Sequence, residues 1–150
     1  ETGVPPTRLG FEITETAAIA NFARASEVIG ELKAEGCGFA LDDFGSGMSS
    51  FGYLKHLPVD YLKIDGVFIR DIAHDRVDRA MVDAINTVGH IMGIKTIAEC
   101  VEMAETLSVL QDIGVDYAQG FGIGRPVSYV DLSSFDAMVV EDARSTGTLP

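Results

Sequence analysis

Basic residues are scarce in this chain: 11 lysines and arginines stand against 23 aspartates and glutamates, a formal charge of -12 over 150 residues. The few that occur are scattered, so no basic patch for a polymeric nucleic acid is expected. Cysteine is rarer still. Cys37 and Cys100, within or beside apolar strand-like runs, read as reduced core thiols of a cytosolic protein. No uninterrupted apolar run approaches the ~20 residues that span a bilayer, and no signal peptide is visible, so this segment is expected to make no membrane contact. Low-complexity segments and convincing linkers are also missing, apart from a frayed tail expected after about Asp142. What is present is apolar residue, 47% of the chain, enough for the core of one ordinary domain.

Helix-period and strand-like segments alternate. Ile19, Phe22, Ala25, Ile29 and Leu32 recur at about 3.6 residues and predict one helix from Ala17 to Glu35, stopped by Gly36. A second helix is predicted from about Asp75 to Met92, with Val77, Met81, Ile85, Val88 and Met92 on one face. A third, about Met103 to Ile113, turns Leu107, Leu110 and Ile113 inward and stops at Gly114. The intervening strands are continuous apolar runs, as expected when both faces are covered. Helix, glycine, strand, polar residue, helix is the order of βα units around a parallel sheet.

Five short apolar segments end in a residue suited to metal or phosphate chemistry: Phe11-Glu12-Ile13-Thr14, Ala40-Leu41-Asp42-Asp43, Tyr61-Leu62-Lys63-Ile64-Asp65, Thr96-Ile97-Ala98-Glu99 and Tyr117-Ala118-Gln119-Gly120. Buried charge is costly unless paired or bound to metal. In parallel α/β folds the chemistry collects at the carboxyl ends of strands, where these residues fall. An acidic protein can still bind a phosphorylated ligand if a divalent cation supplies the positive charge. Asp42-Asp43, followed by Phe44-Gly45-Ser46-Gly47, is the centre of the pattern. His56, His74 and His90 fall off the strand ends and make no metal-ligand spacing.

Taken together, these segments resemble the EAL-domain family of cyclic-di-GMP phosphodiesterases. Glu12 to Thr16 looks like the family's E-[IL]-T-E-[ST] segment. Asp42 to Gly47 is similar to its D-D-F-G-[TS]-G loop, with Ser49-Ser50 following. Leu62 to Asp65 matches L-K-I-D, and Ala98 to Glu102 matches A-E-G-V-E with Cys100 in place of glycine. Gln119-Gly120-Phe121 and Gly124-Arg125-Pro126 look like Q-G-[YF] and G-[KR]-P.

The resemblance implies a TIM-like (β/α) barrel, which typically takes ~250 residues. About five βα units with parallel strands can be counted here. The expectation is therefore that residues 1–150 are the C-terminal part of an EAL domain. The N-terminal strands, with the E-A-L segment and a strand-end asparagine, would lie upstream. The implied cofactor is Mg²⁺ or Mn²⁺ in a two-metal site, with Glu12 and Asp42 on one ion and Asp42 bridging to a second held by Asp43. Lys63 would orient the attacking water, and Glu99 would serve as general base or second-metal ligand. Gln119 would bind water or phosphate near the metals. Glu15 and Glu102 would anchor loops, and the Gly45, Ser46, Gly47 loop would lie between the metal site and a dimer contact. Arg125 would contact phosphate or guanine, or act structurally.

The expected function is hydrolysis of cyclic-di-GMP to linear pGpG by the parent domain, with the isolated segment inactive. Expected partners are cyclic-di-GMP and a second copy of the chain, as a homodimer or by self-association. The expected location is the cytoplasm, free or as part of a larger, membrane-bound signalling protein. A catalytically silent receptor or dimerisation module is the alternative. An enolase-type barrel would also use strand-end acids on Mg²⁺, but leaves the D-D-F-G-S-G loop and the L-K-I-D strand unexplained together.

Overall fold

The computed structural model describes residues 3–45 and 51–126. Ser46, Gly47, Ser49, Ser50 and the tail expected to fray after Asp142 lie outside the described residues. The elements run β1 (Gly10–Thr14), α1 (Glu15–Ala20), α2 (Phe22–Ala34), β2 (Gly38–Phe44), α3 (Phe51–Leu54) and β3 (Tyr61–Ile64). They continue with α4 (Gly66–Ile69), α5 (Arg76–Ile91), β4 (Lys95–Ala98), α6 (Ala104–Ile113) and β5 (Tyr117–Ala118). The five strands form one sheet in the order β1-β2-β3-β4-β5, and every pairing is parallel. Spatial order equal to chain order, with a helix in each crossover, is the arrangement of a (β/α) barrel wall. No helix among the described residues is long and apolar enough to cross a membrane.

The single helix expected from Ala17 to Glu35 is two. Asn21 leaves helical geometry at φ -146° and ψ 69°, and its side-chain oxygen accepts from Arg24 N–H at 3.3 Å, capping α2. Asparagine competes with the helix backbone for such bonds, which a hydrophobic period does not register. Ala18, Ala25 and Ile29 are buried, whereas Ile19 is exposed.

The bounds of α5 agree with expectation, with Asp75 capping the N-terminus through Val77 N–H and Asp78 N–H. Its inward face is rotated from the predicted one. Val82, Ile85, Asn86 and Gly89 are buried, and Val77 is 69% and Met81 42% exposed. The cause is close, partly polar packing. A Cβ on Gly89 would stand 3.1 Å from the Thr96 methyl. Asn86 donates to Ile113 O at 3.2 Å and accepts from the Thr96 hydroxyl at 2.6 Å.

The core runs through Leu41, Leu62, Ile64, Ile85, Ala98 and Leu110. β1 departs from the expected two-sided burial: none of its residues is buried, and Phe11, stacked on Phe39 at 5.3 Å, remains 40% exposed. At the entry end of the sheet two aspartates perform the same task. Asp60 directly precedes β3 and accepts from Phe39 N–H of β2 while pairing with Lys33. Asp116 directly precedes β5, accepts from Thr96 N–H of β4 at 2.9 Å and pairs with Lys95 at 2.6 Å. Each carboxylate satisfies a strand-start N–H and fixes the start of two neighbouring strands.

Candidate metal centre

At the opposite end of the sheet the acids converge. Asp42 and Asp43 lie just before Phe44 at the end of β2, Lys63 is the third residue of β3, and Glu99 follows β4 directly. Glu12 pairs in register with Ala40, two residues before Asp42, and its side chain extends to the same place. The Lys63 ammonium lies 3.0 Å from Glu12, 2.8 Å from Asp42 and 2.9 Å from Glu99.

Adjacent residues of a regular strand point to opposite faces, so Asp42 and Asp43 should diverge. A register shift prevents this. Leu41 pairs with Leu62 and Phe44 with Ile64, so one extra residue sits in β2 opposite β3. Asp43 absorbs it in the left-handed region at φ 57°. The bulge re-aims the acids, and Asp42, Asp43 and Glu99 each offer an oxygen within 4.8 Å of the others.

Lys63 is buried, with 5% of its side chain exposed. Burial alone would lower its pKa, but Asp42, Glu99 and Glu12 outweigh that and hold it above the usual lysine range. Burial raises the Glu99 carboxyl; Lys63 opposes the shift, and Asp42 and Asp43 add to it. The Asp43 carboxyl is also raised, by burial first and then by Asp42 and Asp65. One ammonium among four carboxylates leaves an excess of negative charge, which disfavours a second ionised acid beside the first. Asp42 Oδ1 is buried and pairs with the Lys63 ammonium at 2.8 Å. An all-carboxylate donor set suits a hard divalent cation. The residues fit the implied metal.

Around the acids, Glu15 is buried and accepts from Gly45 N–H at 3.1 Å, tying α1 to the turn after the acid pair. Glu102 is exposed, and no hydrogen bond or ion pair holds its side chain among the described residues. Gln119 reaches the same end of the sheet: its N–H donates to Ala98 O at 2.8 Å and its carbonyl accepts from Val101 N–H at 3.0 Å. Arg125 is exposed, its guanidinium 5.4 Å from the centroid of the Phe121 ring. The histidines stay outside the acid cluster. His74 pairs with Glu105 at 3.3 Å and His90 with Asp116 at 2.6 Å. Cys37 and Cys100 are free thiols, and Cys100 holds a left-handed backbone at φ 55° directly after Glu99.

Two contributors were given no role by the sequence reading, although Asp65 ends one of its five segments. Asp65 caps α4 through Val67 N–H, and its N–H donates to Phe44 O at 3.2 Å, bracing the turn after the acids. Its place in the strand-then-acid pattern was the available signal. Tyr53 donates its hydroxyl to Glu15; nothing in local spacing distinguishes it from a core aromatic.

Residues 1–126 match the family model of the EAL domain. The chain belongs to the EAL-domain family. The cyclic di-GMP phosphodiesterase PdeB of Shewanella oneidensis is 52% identical over 123 residues, 82% of this chain but 14% of the relative. The cyclic di-GMP phosphodiesterase PdeA of Borreliella burgdorferi is 42% identical over 82% of this chain and 17% of its own length. Among solved structures, the PaMucR phosphodiesterase in complex with c-di-GMP superposes with a TM-score of 0.81 at 40% identity, covering 86% of this EAL chain and 52% of its own. Klebsiella pneumoniae BlrP1, solved with manganese and cyclic-di-GMP, gives 0.78 at 34% identity, over 83% of this chain and 32% of its own. This EAL chain thus spans about half of the PaMucR chain and under a fifth of these curated relatives.

Proposed function

We propose that this chain is the C-terminal part of an EAL domain whose acid rim hydrolyses cyclic-di-GMP to linear pGpG with divalent metal. The observation that carries the reading is the convergence of Glu12, Asp42, Asp43 and Glu99 around one buried lysine at the strand ends. The relatives named as cyclic di-GMP phosphodiesterases and the neighbours solved with that dinucleotide support it.

Hydrolysing a phosphodiester takes a nucleophilic water at neutral pH and compensation of phosphate charge, which two ions ~3.5–4 Å apart supply together. Mg²⁺ or Mn²⁺ is the proposed metal. Glu12 and Asp42 would hold one ion, and Asp42 and Asp43 the other. Lys63, fixed by three carboxylates, orients the attacking water. Glu99, held half-buried at the strand end, accepts the water's proton or completes the metal set. Gln119 hydrogen-bonds to water or phosphate, and Arg125 reaches the substrate from the rim. A cytoplasmic setting suits the two free thiols.

The test compares this chain with the longer natural protein. An EAL domain extended through the upstream E-A-L glutamate and strand-end asparagine should hydrolyse cyclic-di-GMP, and Asp42→Asn or Glu99→Gln should abolish turnover with the fold intact. Residues 1–150 alone should hydrolyse it negligibly, even in millimolar Mg²⁺ or Mn²⁺. Metal positioning by a partial ligand set tolerates little error. Robust turnover by the isolated chain would overturn the partial-domain reading. A full-length protein that binds the dinucleotide without cleaving it would make the site a receptor.

A further inference from the structure

The turn that carries the acid pair is held from outside the rim, and the holding group leads to an unassigned side chain. Gly45 follows Asp42-Asp43-Phe44 at φ 101°, and its N–H donates to one oxygen of Glu15. The other Glu15 oxygen accepts from the Tyr53 hydroxyl. Glu15 is 3% exposed, so its carboxylate is held in place by its donors rather than by water. The Tyr53 ring stands edge-on to Phe22 at 6.4 Å between centroids, which anchors it to the start of α2. A continuous path therefore runs from Phe22 through Tyr53, Glu15 and Gly45 to the bulge that turns Asp42 and Asp43 together.

We infer that Tyr53 is a positioning residue of the metal centre: its hydroxyl orients Glu15 so that the carboxylate captures the Gly45 amide and fixes the acid-bearing turn. The inference rests on the metal-dependent reading above. Burial, then the Glu15 carboxylate, pushes the phenol's pKa above the ordinary tyrosine range. The phenol therefore stays protonated as a donor at every physiological pH. Hydrogen bonds to buried charged groups are among the stronger ones in proteins. Groups that orient ligands from behind commonly change metal affinity by ~10–100-fold when removed. Tyr53 acts through the turn; it donates no ligand atom.

The test uses Tyr53→Phe in the 150-residue chain, which keeps the ring against Phe22 and removes only the hydroxyl. Amide hydrogen exchange read by NMR should show Gly45 exchanging about tenfold faster or more. Thr96 N–H, which donates to Asp116 at the far end of the sheet, serves as the internal reference and should not change. Mn²⁺ binding, followed by the loss of its free-ion EPR signal, should weaken by about tenfold. Unchanged Gly45 exchange would overturn the inference. Equal acceleration at Gly45 and Thr96 would overturn it too, by making the hydroxyl a global stabiliser. Faster exchange at Gly45 with unaltered Mn²⁺ affinity would break the link from turn to acids. If the unsubstituted chain takes up no Mn²⁺, the metal reading for this segment fails, and Gly45 exchange still decides the role of Tyr53.

Discussion

Two glycines near the site differ in what their missing side chains avoid. A Cβ on Gly45 would meet the Phe68 ring edge at 2.5 Å, and one on Gly120 would meet Val101 N and O at 2.3 Å. A ring edge can rotate; backbone held by its own hydrogen bonds cannot. Gly120→Ala should therefore cost about 3 kcal/mol, through strain and overpacking, and more than Gly45→Ala. Urea unfolding of the two variants checks the order, and equal costs would refute it. Lys63 offers a sharper test, because among the described residues it is the only cation paired with the converging carboxylates. Lys63→Met should destabilise the chain at neutral pH by ~2–3 kcal/mol, less than a fully buried pair because Glu12 is largely in solvent. Divalent cation should restore part of that loss by binding the folded acids. A variant as stable as the parent, or indifferent to Mn²⁺, would show that the carboxylates do not repel one another as argued.

Among the elements, the repeated aspartates before β3 and β5 give a pH dependence that can be worked out. Burial alone would raise the Asp116 carboxyl, but Lys95, the Thr96 N–H and His90 prevail and hold it below its ordinary value of 3.8. A depressed carboxylate stabilises the fold above its unfolded pKa and loses that contribution as pH falls through the folded value. Asp116→Asn should therefore cost ~1–2 kcal/mol at neutral pH, and the gap between variant and parent should shrink below about pH 4. Chemical denaturation across that range reads it, and a pH-independent gap would refute the assignment. These braces also mark where the sequence was readable and where it was not. Parallel pairing and the bounds of α5 follow from local period and glycine stops and were legible, whereas strand order came only with the barrel that the family resemblance implies. The face of α5 was not, because Asn86 and Gly89 pack on Thr96 through polarity and closeness. The break at Asn21 was hidden by apolar residues that keep their period across it. At the site, the acids and Lys63 were visible as strand ends, but the bulge that turns Asp42 and Asp43 together exists only in the pairing of β2 with β3. Tyr53 was invisible because its partner lies 38 residues away.

For the molecule as a whole, the described sheet has two edges, the outer sides of β1 and β5. Unpaired strand edges are templates for further pairing, and a barrel removes them by closure. The β1 side carries exposed apolar residues: Leu9 is 43%, Phe11 40% and Ile19 46% exposed. Burying such surface against another copy is favourable at ~25 cal/mol per Å² of apolar area. Opposing it is the charge of -12 that every copy carries. The isolated 150-residue chain should therefore self-associate, weakly at low ionic strength and more strongly as added salt screens the repulsion. Polar contacts weaken with salt, so a rise in association with ionic strength would separate apolar edge pairing from assembly through ion pairs. Sedimentation velocity at several protein concentrations, in low and high salt, gives the answer. Phe11→Lys, on the exposed edge strand, should shift the equilibrium toward monomer. A compact monomer under all these conditions would mean that β1 is stable as an open edge and that its apolar residues do not drive assembly of this chain.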